Sequence, residues 1–385
     1  MRKVLKWIGR VLGAVLVLAV AAVLFFRFSN QRACSIQTPN GIQESTFIQV
    51  GGIRQYVQIR GNDQANPVVL WLHGGPGEPL SYLSYAYQRP LETAYTIAYF
   101  HQRGSGRTFY ANADNGPVTD EQLLLDIDEQ VDYLRSRFGQ DRVIVAGEGW
   151  GTVLGSQYAA AHPDKVAAYV GVGQVVDMAQ ASEHAANVAM AQLSEAGHAD
   201  VAEQLRQVLA RYQSATSIDD LNLDAYQSLS TITRSQLKGH GTLSSLQRLW
   251  LTLTSPDLGL DDLRWIIRTL SLASRYAAEH DLAQYLHFGY ALGELGALGG
   301  VPVSFVQGEN DWTTPTDLVA QWFSQSGAAG AGVIVVPGAG HQVFLDDPTG
   351  FARAFDQALA GVGVSGTATG VGVSGAAAGT IPQVG

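Results

Sequence analysis

Residues 46–59 alternate apolar and polar positions on either side of Gly51-Gly52, as in Phe47-Ile48-Gln49-Val50 and Tyr56-Val57-Gln58-Ile59. A period of two broken by a glycine pair predicts a β-hairpin. The pattern then changes. Short apolar runs at 68–72 and 96–100 each end in a glycine-bearing loop, and similar runs follow at 142–146 and 166–172. Such runs suit strands buried on both faces of a parallel sheet. Helical stretches separate them. Thr119-Asp120-Glu121-Gln122 has the form of a capping box ahead of Leu123, Leu124, Ile127, Val131, Leu134 and Phe138 at helical spacing, and 150–161 reads as a helix closed by His162-Pro163. This strand–helix alternation predicts an α/β protein with a mostly parallel central sheet flanked by helices.

From about 177 to 300 the texture is Ala-, Gln-, Leu- and Glu-rich, with helical periods such as Val201, Leu205, Val208 and Leu209 and no strand runs. This stretch is expected to be a helical insertion. Strand character returns at 301–307 and 333–336, and 349–359 reads as a closing helix. The segment 361–366, Gly-Val-Gly-Val-Ser-Gly, recurs at 370–375, so 361–385 is expected to be a low-complexity tail outside the fold. The implied organisation is 1–30, 31–176, 177–300, 301–360 and 361–385: an anchor, the first part of a core, a helical cap, the second part of the core, and the tail.

The anchor is read from the N-terminus. Arg2, Lys3, Lys6 and Arg10 precede an unbroken apolar run over 11–26, which Trp7, Ile8 and Gly9 extend toward the roughly 20 residues needed to span hydrocarbon. A cleaved signal peptide is the competing reading. Phe25-Phe26-Arg27-Phe28 offers no small-x-small cleavage site, and Gln31-Arg32-Ala33-Cys34 lacks the apolar residue of a lipoprotein signal at Gln31. A single-pass helix is therefore expected. Four basic residues before the run, against Arg27 and Arg32 after it, put the N-terminus in the cytoplasm and the main domain outside; secretion after cleavage is the alternative. A net charge of -10 argues against nucleic acid as a partner. Cys34 is the only cysteine, which excludes an intrachain disulfide and a cysteine metal site; no metal and no cofactor is expected.

Ligand sites in open α/β sheets lie beyond the strand ends, and the loops there are unusual in composition. They are His73-Gly74-Gly75-Pro76-Gly77, His101-Gln102-Arg103-Gly104-Ser105-Gly106-Arg107, Gly147-Glu148-Gly149-Trp150-Gly151, Gly308-Glu309-Asn310-Asp311 and Gly338-Ala339-Gly340-His341. In this order they resemble the proline iminopeptidase group of α/β hydrolases over roughly 47–359. The resemblance implies an α/β-hydrolase fold with an inserted helical cap and acyl-transfer chemistry on peptide, amide or ester bonds. It makes Asp311 and His341 the acid and base, with Glu309 a weaker rival acid, and the Gly75 and Trp150 amides the oxyanion donors. His101 departs from the family's usual Asp and is expected to be structural.

The larger departure is Gly149. It stands where the G-x-S-x-G elbow carries its nucleophilic serine. Thr152, Ser156 and Glu148 are the nearby candidates to replace it, and helix geometry carries the two hydroxyls away from the turn. Three readings are open: a binding or interaction protein on a hydrolase scaffold, a hydrolase using water activated by His341, or a substitution made to trap substrate. The resemblance also implies cap carboxylates that hold a peptide's ammonium group. Glu183 is the weak candidate, with Glu279 and Glu294 as others, and a small-molecule or peptide substrate is the expected partner.

Overall fold

Gly51 and Gly52, both with positive φ, close the hairpin between β1 (Ile42–Val50) and β2 (Ile53–Gly61), because that backbone region costs glycine nothing. The computed structural model describes residues 2–221, 229, 233, 237 and 243–364; most of the tail expected at 361–385 lies outside the described residues. After the hairpin come β3 (Val68–Leu72), β4 (Thr96–Phe100), α2 (Gly106–Ala111), α3 (Asp120–Phe138), β5 (Val143–Glu148), α4 (Trp150–Ala161) and β6 (Val166–Val172). Thr119 caps α3 by accepting from the Gln122 amide. The Gln122 side chain, however, donates to Asp126, so the expected box is half formed.

Among the described residues the sheet has eight strands in the order β1-β2-β4-β3-β5-β6-β7-β8, β7 being Val303–Gly308 and β8 Gly330–Val336. β1 and β2 pair antiparallel with their neighbours; from β4 onward every pairing is parallel. Alternate residues of β3 feed two cores. Val68, Leu70 and Leu72 pack with Ile127, Val131 and Leu134 of α3 and Val153 and Leu154 of α4. Val69 and Trp71 pack with Phe351 and Phe355 of the closing helix α13 (Pro348–Ala360). Both faces are thus covered, as the unbroken apolar runs require.

Between β6 and β7 the regular structure among the described residues is helical: α5 (Met178–Glu195), α6 (Ala199–Ser214), α7 (Ser245–Thr254), α8 (Leu260–Arg268), α9 (Leu272–Ala278) and α10 (His280–Phe288). Ala185, Leu193, Leu205, Leu209, Tyr212, Tyr276 and Ala283 form a core of their own there. α11 (Thr316–Ser326) and the short α12 (Val343–Asp346) complete the later part of the chain. At the N-terminus, α1 (Arg2–Ala33) is one continuous helix. It is long and apolar enough to cross a membrane, properties that a signal sequence shares, and its most apolar window is 0% buried, so it is not a core helix.

Backbone passes close to backbone at the β5–α4 turn. A Cβ on Gly151 would sit 2.0 Å from the Leu72 carbonyl oxygen, and one on Gly147 would sit 2.4 Å from the Gly151 carbonyl oxygen. Neither obstacle is a side chain that can swing away. Gly151→Ala should cost about 3 kcal/mol or more in a denaturation titration, whereas Gly293→Ala, which meets nothing within 4 Å, should stay within about 0.5 kcal/mol of the parent.

Candidate active site

The turn between β5 and α4 places Gly149 at its apex with φ 50 and ψ -114, a conformation that L side chains rarely adopt. Trp150 is the first residue of α4, so its amide has no carbonyl one turn back within the helix. Across the sheet ends, the loop after β3 folds on itself. Gly75 has φ 124, and a Cβ there would lie 2.5 Å from the Gly77 nitrogen, so only glycine fits. The Glu78 amide donates to the Gly74 carbonyl at 3.1 Å and closes the turn.

Three loops are tied together by buried polar groups. His73 donates through Nδ1 to the Gly74 carbonyl (2.9 Å) and accepts the Gln102 amide at Nε2 (3.1 Å). Gln102 donates through its side chain to the His73 carbonyl (3.2 Å) and accepts from the Trp150 indole (3.1 Å). Burial holds the His73 imidazole down at about 4 despite the Gly74 contact, so it stays neutral with its proton on Nδ1. His101 is also fully buried, its Nε2 2.7 Å from Ser81 Oγ and its Nδ1 accepting the Arg107 amide. Burial, then the nearby Arg107 charge, push it well below its ordinary value. It braces the loop.

Asp311 and His341 meet after β7 and β8. His341 Nδ1 donates to Asp311 Oδ2 at 2.9 Å. The other oxygen, Oδ1, accepts the Thr313 and Thr314 amides at 3.0 and 2.9 Å, and the Thr314 hydroxyl donates to Oδ2 at 2.6 Å. Burial alone would raise the Asp311 pKa, but the His341 charge and these hydrogen bonds outweigh it, and the carboxyl titrates below its ordinary value. An ionised Asp311 fixes the proton on Nδ1 and turns Nε2 toward the β5–α4 turn. A Cβ on Gly149 would lie 3.1 Å from Nε2. Gly173, with φ 58, makes room for the ring: a Cβ there would come within 3.0 Å of Cε1 and Nδ1. Thr314 and Gly173 escaped the sequence reading; the Asp311-x-x-Thr314 spacing, suited to a turn in which a carboxylate accepts from residues two and three ahead, was the available signal.

Thr152 and Ser156 do not face His341. Thr152 Oγ1 donates to the Gly149 carbonyl and accepts the Val175 amide, and Ser156 Oγ bonds Val153 and Tyr290. Glu309 is exposed and accepts the Gly338 amide. Of the carboxylates weighed from sequence, Glu183 and Glu294 are exposed, Glu183 on α5 and Glu294 near the return to β7. Glu279, between α9 and α10, is 2% exposed, and neither carboxylate oxygen has a hydrogen-bond partner. It lies against the loop after β3, where a Cβ on Gly77 would come within 2.8 Å of its Oε1. Burial raises its pKa well above the ordinary value, with Arg268 pulling the other way. Nothing in its sequence neighbourhood marks it out; burial does.

An aspartate holding a histidine toward the apex of a strand–helix turn, beside a glycine-rich loop, is the arrangement of the α/β hydrolases. Residues 67–348 match the alpha/beta hydrolase fold family, well over half of the chain, and the protein belongs to that family. Its homologues are proline iminopeptidase-like. It is similar to the probable aminopeptidase YbaC of Bacillus subtilis, 25% identical over 311 residues, which cover 80% of this chain and 94% of that protein. A probable proline iminopeptidase of Streptomyces coelicolor is 36% identical over a shorter stretch of 126 residues, 32% of this chain and 37% of that protein. Among solved structures, a proline iminopeptidase-related protein of Thermus thermophilus superposes with a TM-score of 0.55 at 21% identity, over 83% of this chain and 98% of its own, a likeness of fold.

Glu148, next to Gly149, is 4% exposed, and its Oε2 lacks a hydrogen-bond partner. Burial and then the Glu78 charge push its pKa up to about 8, against the pull of His341 and Arg248. A raised folded-state value means that its stabilising contribution is complete below the ordinary value of 4.5 and is lost as pH rises through about 8. Glu148→Gln, neutral throughout, should therefore flatten the fall in stability measured from about pH 5 to about pH 9, by on the order of 3–5 kcal/mol at the alkaline end. Glu279 should account for part of the slope that remains.

Proposed function

We propose that this protein is a membrane-anchored relative of the proline iminopeptidases that binds peptide, or related amide and ester, substrates. In this reading Gly149 replaces the nucleophilic serine, so acyl-enzyme chemistry is impaired or absent. α1 is the anchor, with the N-terminus cytoplasmic and the main domain outside, and α5 to α10 form the cap. The carrying observation is that a side chain on Gly149 would start 3.1 Å from His341 Nε2. The histidine, oriented by Asp311, faces the one position from which it could draw a nucleophile's proton, and glycine has none there. The Gly75 and Trp150 amides are the proposed oxyanion donors.

Two secondary readings attach to particular observations. His341 keeps 27% of its side chain exposed, which admits water to the position facing Gly149 and supports slow, water-mediated hydrolysis; a triad lacking one member retains some catalysis. A non-catalytic binding role rests on Glu279. Its two unpartnered buried oxygens suit a substrate ammonium better than the exposed Glu183 does, since a buried carboxylate needs a charged partner or a proton.

Gly149→Ser should raise kcat/KM toward a p-nitrophenyl ester at least about a hundredfold, a conservative share of the roughly 10⁶ that removing a nucleophile costs a complete triad. Gly149→Ala should not, and Gly149→Ser with His341→Ala should lose the gain. Equal, negligible rates in the folded serine and alanine variants would sink the proposal. The serine variant should also be less stable than the parent, by about 1–3 kcal/mol, because it carries a side chain at φ 50. In the Gly149→Ser background, adding Glu279→Gln should raise KM for an aminoacyl p-nitroanilide and leave KM for a p-nitrophenyl ester unchanged. A matching rise for both substrates would remove Glu279 from ammonium binding.

A further inference from the structure

α7 and α8 turn apolar faces outward. On α7, Leu246, Leu249, Trp250 and Leu253 are 78%, 51%, 41% and 36% exposed. On α8 and just beyond it, Leu260, Leu263, Ile267 and Leu270 are 64%, 37%, 73% and 78% exposed. Spacings of three and four residues gather each set on one side of its helix. The opposite side of α8 is fully engaged. Asp262 pairs with Arg107 at 2.6 Å, and the buried Trp265 indole donates to the Gly77 carbonyl at 2.7 Å. The helix is therefore fixed in rotation, and its leucines face outward because its polar contacts face inward. Eight exposed large apolar side chains gathered on the faces of two neighbouring cap helices mark an interaction site on a folded protein.

α1 indicates what covers it. Phe26 packs edge-on against Trp250, with ring centroids 5.3 Å apart. Arg27 donates to the Leu258 and Pro256 carbonyls at 2.7 and 3.3 Å, and Asn30 donates to the Thr254 carbonyl at 3.0 Å. The C-terminal end of α1 is thus bonded to the α7–α8 connection, and Phe25 and Phe28 beside that contact on α1 are exposed as well. At 32 residues α1 is about 48 Å long, more than the roughly 30 Å of a hydrocarbon core. With residues 11–26 in hydrocarbon, Arg27 falls at the boundary, and α7 and α8 fall there with it.

We infer that the outward faces of α7 and α8 lie in the interfacial layer of the bilayer that α1 crosses, with Leu246, Leu249, Trp250, Ile267 and Leu270 dipping toward the acyl chains. The inference rests on the anchored reading of α1. Amphipathic helices of this kind lie in the interface plane with their apolar side immersed by about 5–10 Å, and aromatic rings such as Trp250 favour that level. The loop after β3, held by Trp265 from the inner side of α8, would then sit one helix away from the lipid.

The test uses the full chain in nanodiscs of phosphatidylcholine and phosphatidylglycerol. Single spin labels are attached through Leu246→Cys, Ile267→Cys, Leu16→Cys or Leu125→Cys in a Cys34→Ser background. Leu16 reports on α1, and Leu125, 62% exposed on α3, is the aqueous control. Labels at 246 and 267 should be several-fold more accessible to oxygen, relative to a water-soluble nickel complex, than the label at 125. Lipid exposure at 16 with aqueous exposure at 246 and 267 would overturn the inference and leave the anchor standing. Aqueous exposure at all three would overturn both. Lipid exposure at 246 and 267 with an aqueous label at 16 would remove the anchor and overturn the inference, because the face would then sit on a bilayer that α1 does not cross. Shielding of 246 and 267 from both reagents, with twice the mass in the particle, would assign the face to a second copy and overturn the bilayer reading.

Discussion

The β5–α4 turn is the constraint on which the rest of the structure depends. β5 is central in the sheet, and α4 must start immediately after it to cover one face. The backbone can reverse that sharply only with Gly149 at positive φ and with Gly147 and Gly151 bare enough for main chain to pass main chain. The same reversal sets the first residue of α4 immediately beyond the apex, which faces His341 Nε2. The loop after β3 and the Asp311–His341 pair are arranged around that apex. A substitution that widened the turn would displace the site together with the sheet.

Around the turn, the site is held by neutral and ionic contacts of different kinds. The His73–Gln102–Trp150 chain is buried, and His73 is kept neutral, so it fixes loop positions without adding charge. Asp311 is ionised because the histidine and the Thr313 and Thr314 hydrogen bonds outweigh the cost of its burial. Glu148 and Glu279 go the other way: burial, with Glu148 Oε2 and both Glu279 oxygens left unpartnered, raises both pKa values. Carboxyl groups with opposite tendencies within one region are a pattern that functional sites share with structural ion-pair networks.

Much of this was legible in the chain. β3, β4 and β6 fall where the apolar runs put them, because strands buried on both faces leave uninterrupted apolar segments, and α4 spans the expected 150–161. The hairpin keeps its Gly51-Gly52 turn but begins four residues earlier and ends two later than the alternation suggested. β5, β7 and β8 differ from their expected bounds by one to three residues at their ends, where pairing with neighbours decides the limits. Glycine punctuation at strand ends marked the loops that hold Asp311, His341 and Gly149, and the resemblance to the proline iminopeptidase group picked these residues out within them.

What sequence could not carry depends on distance in space. Glu279 looks like any helix-flanking acid until burial against Gly77 strips it of water and partners. Thr314 and Gly173 matter only because the His341 ring lands between them. The spacing of the leucines of α7 and α8 shows that each helix has an apolar side and not which way that side faces. The chain alone determined the order of elements and the glycine turns, Gly149 among them, which are local properties of consecutive residues. Tertiary structure alone decided which carboxylates are buried, which nitrogen of His341 faces the turn and which helix faces are left uncovered, because burial and orientation depend on residues far apart in sequence.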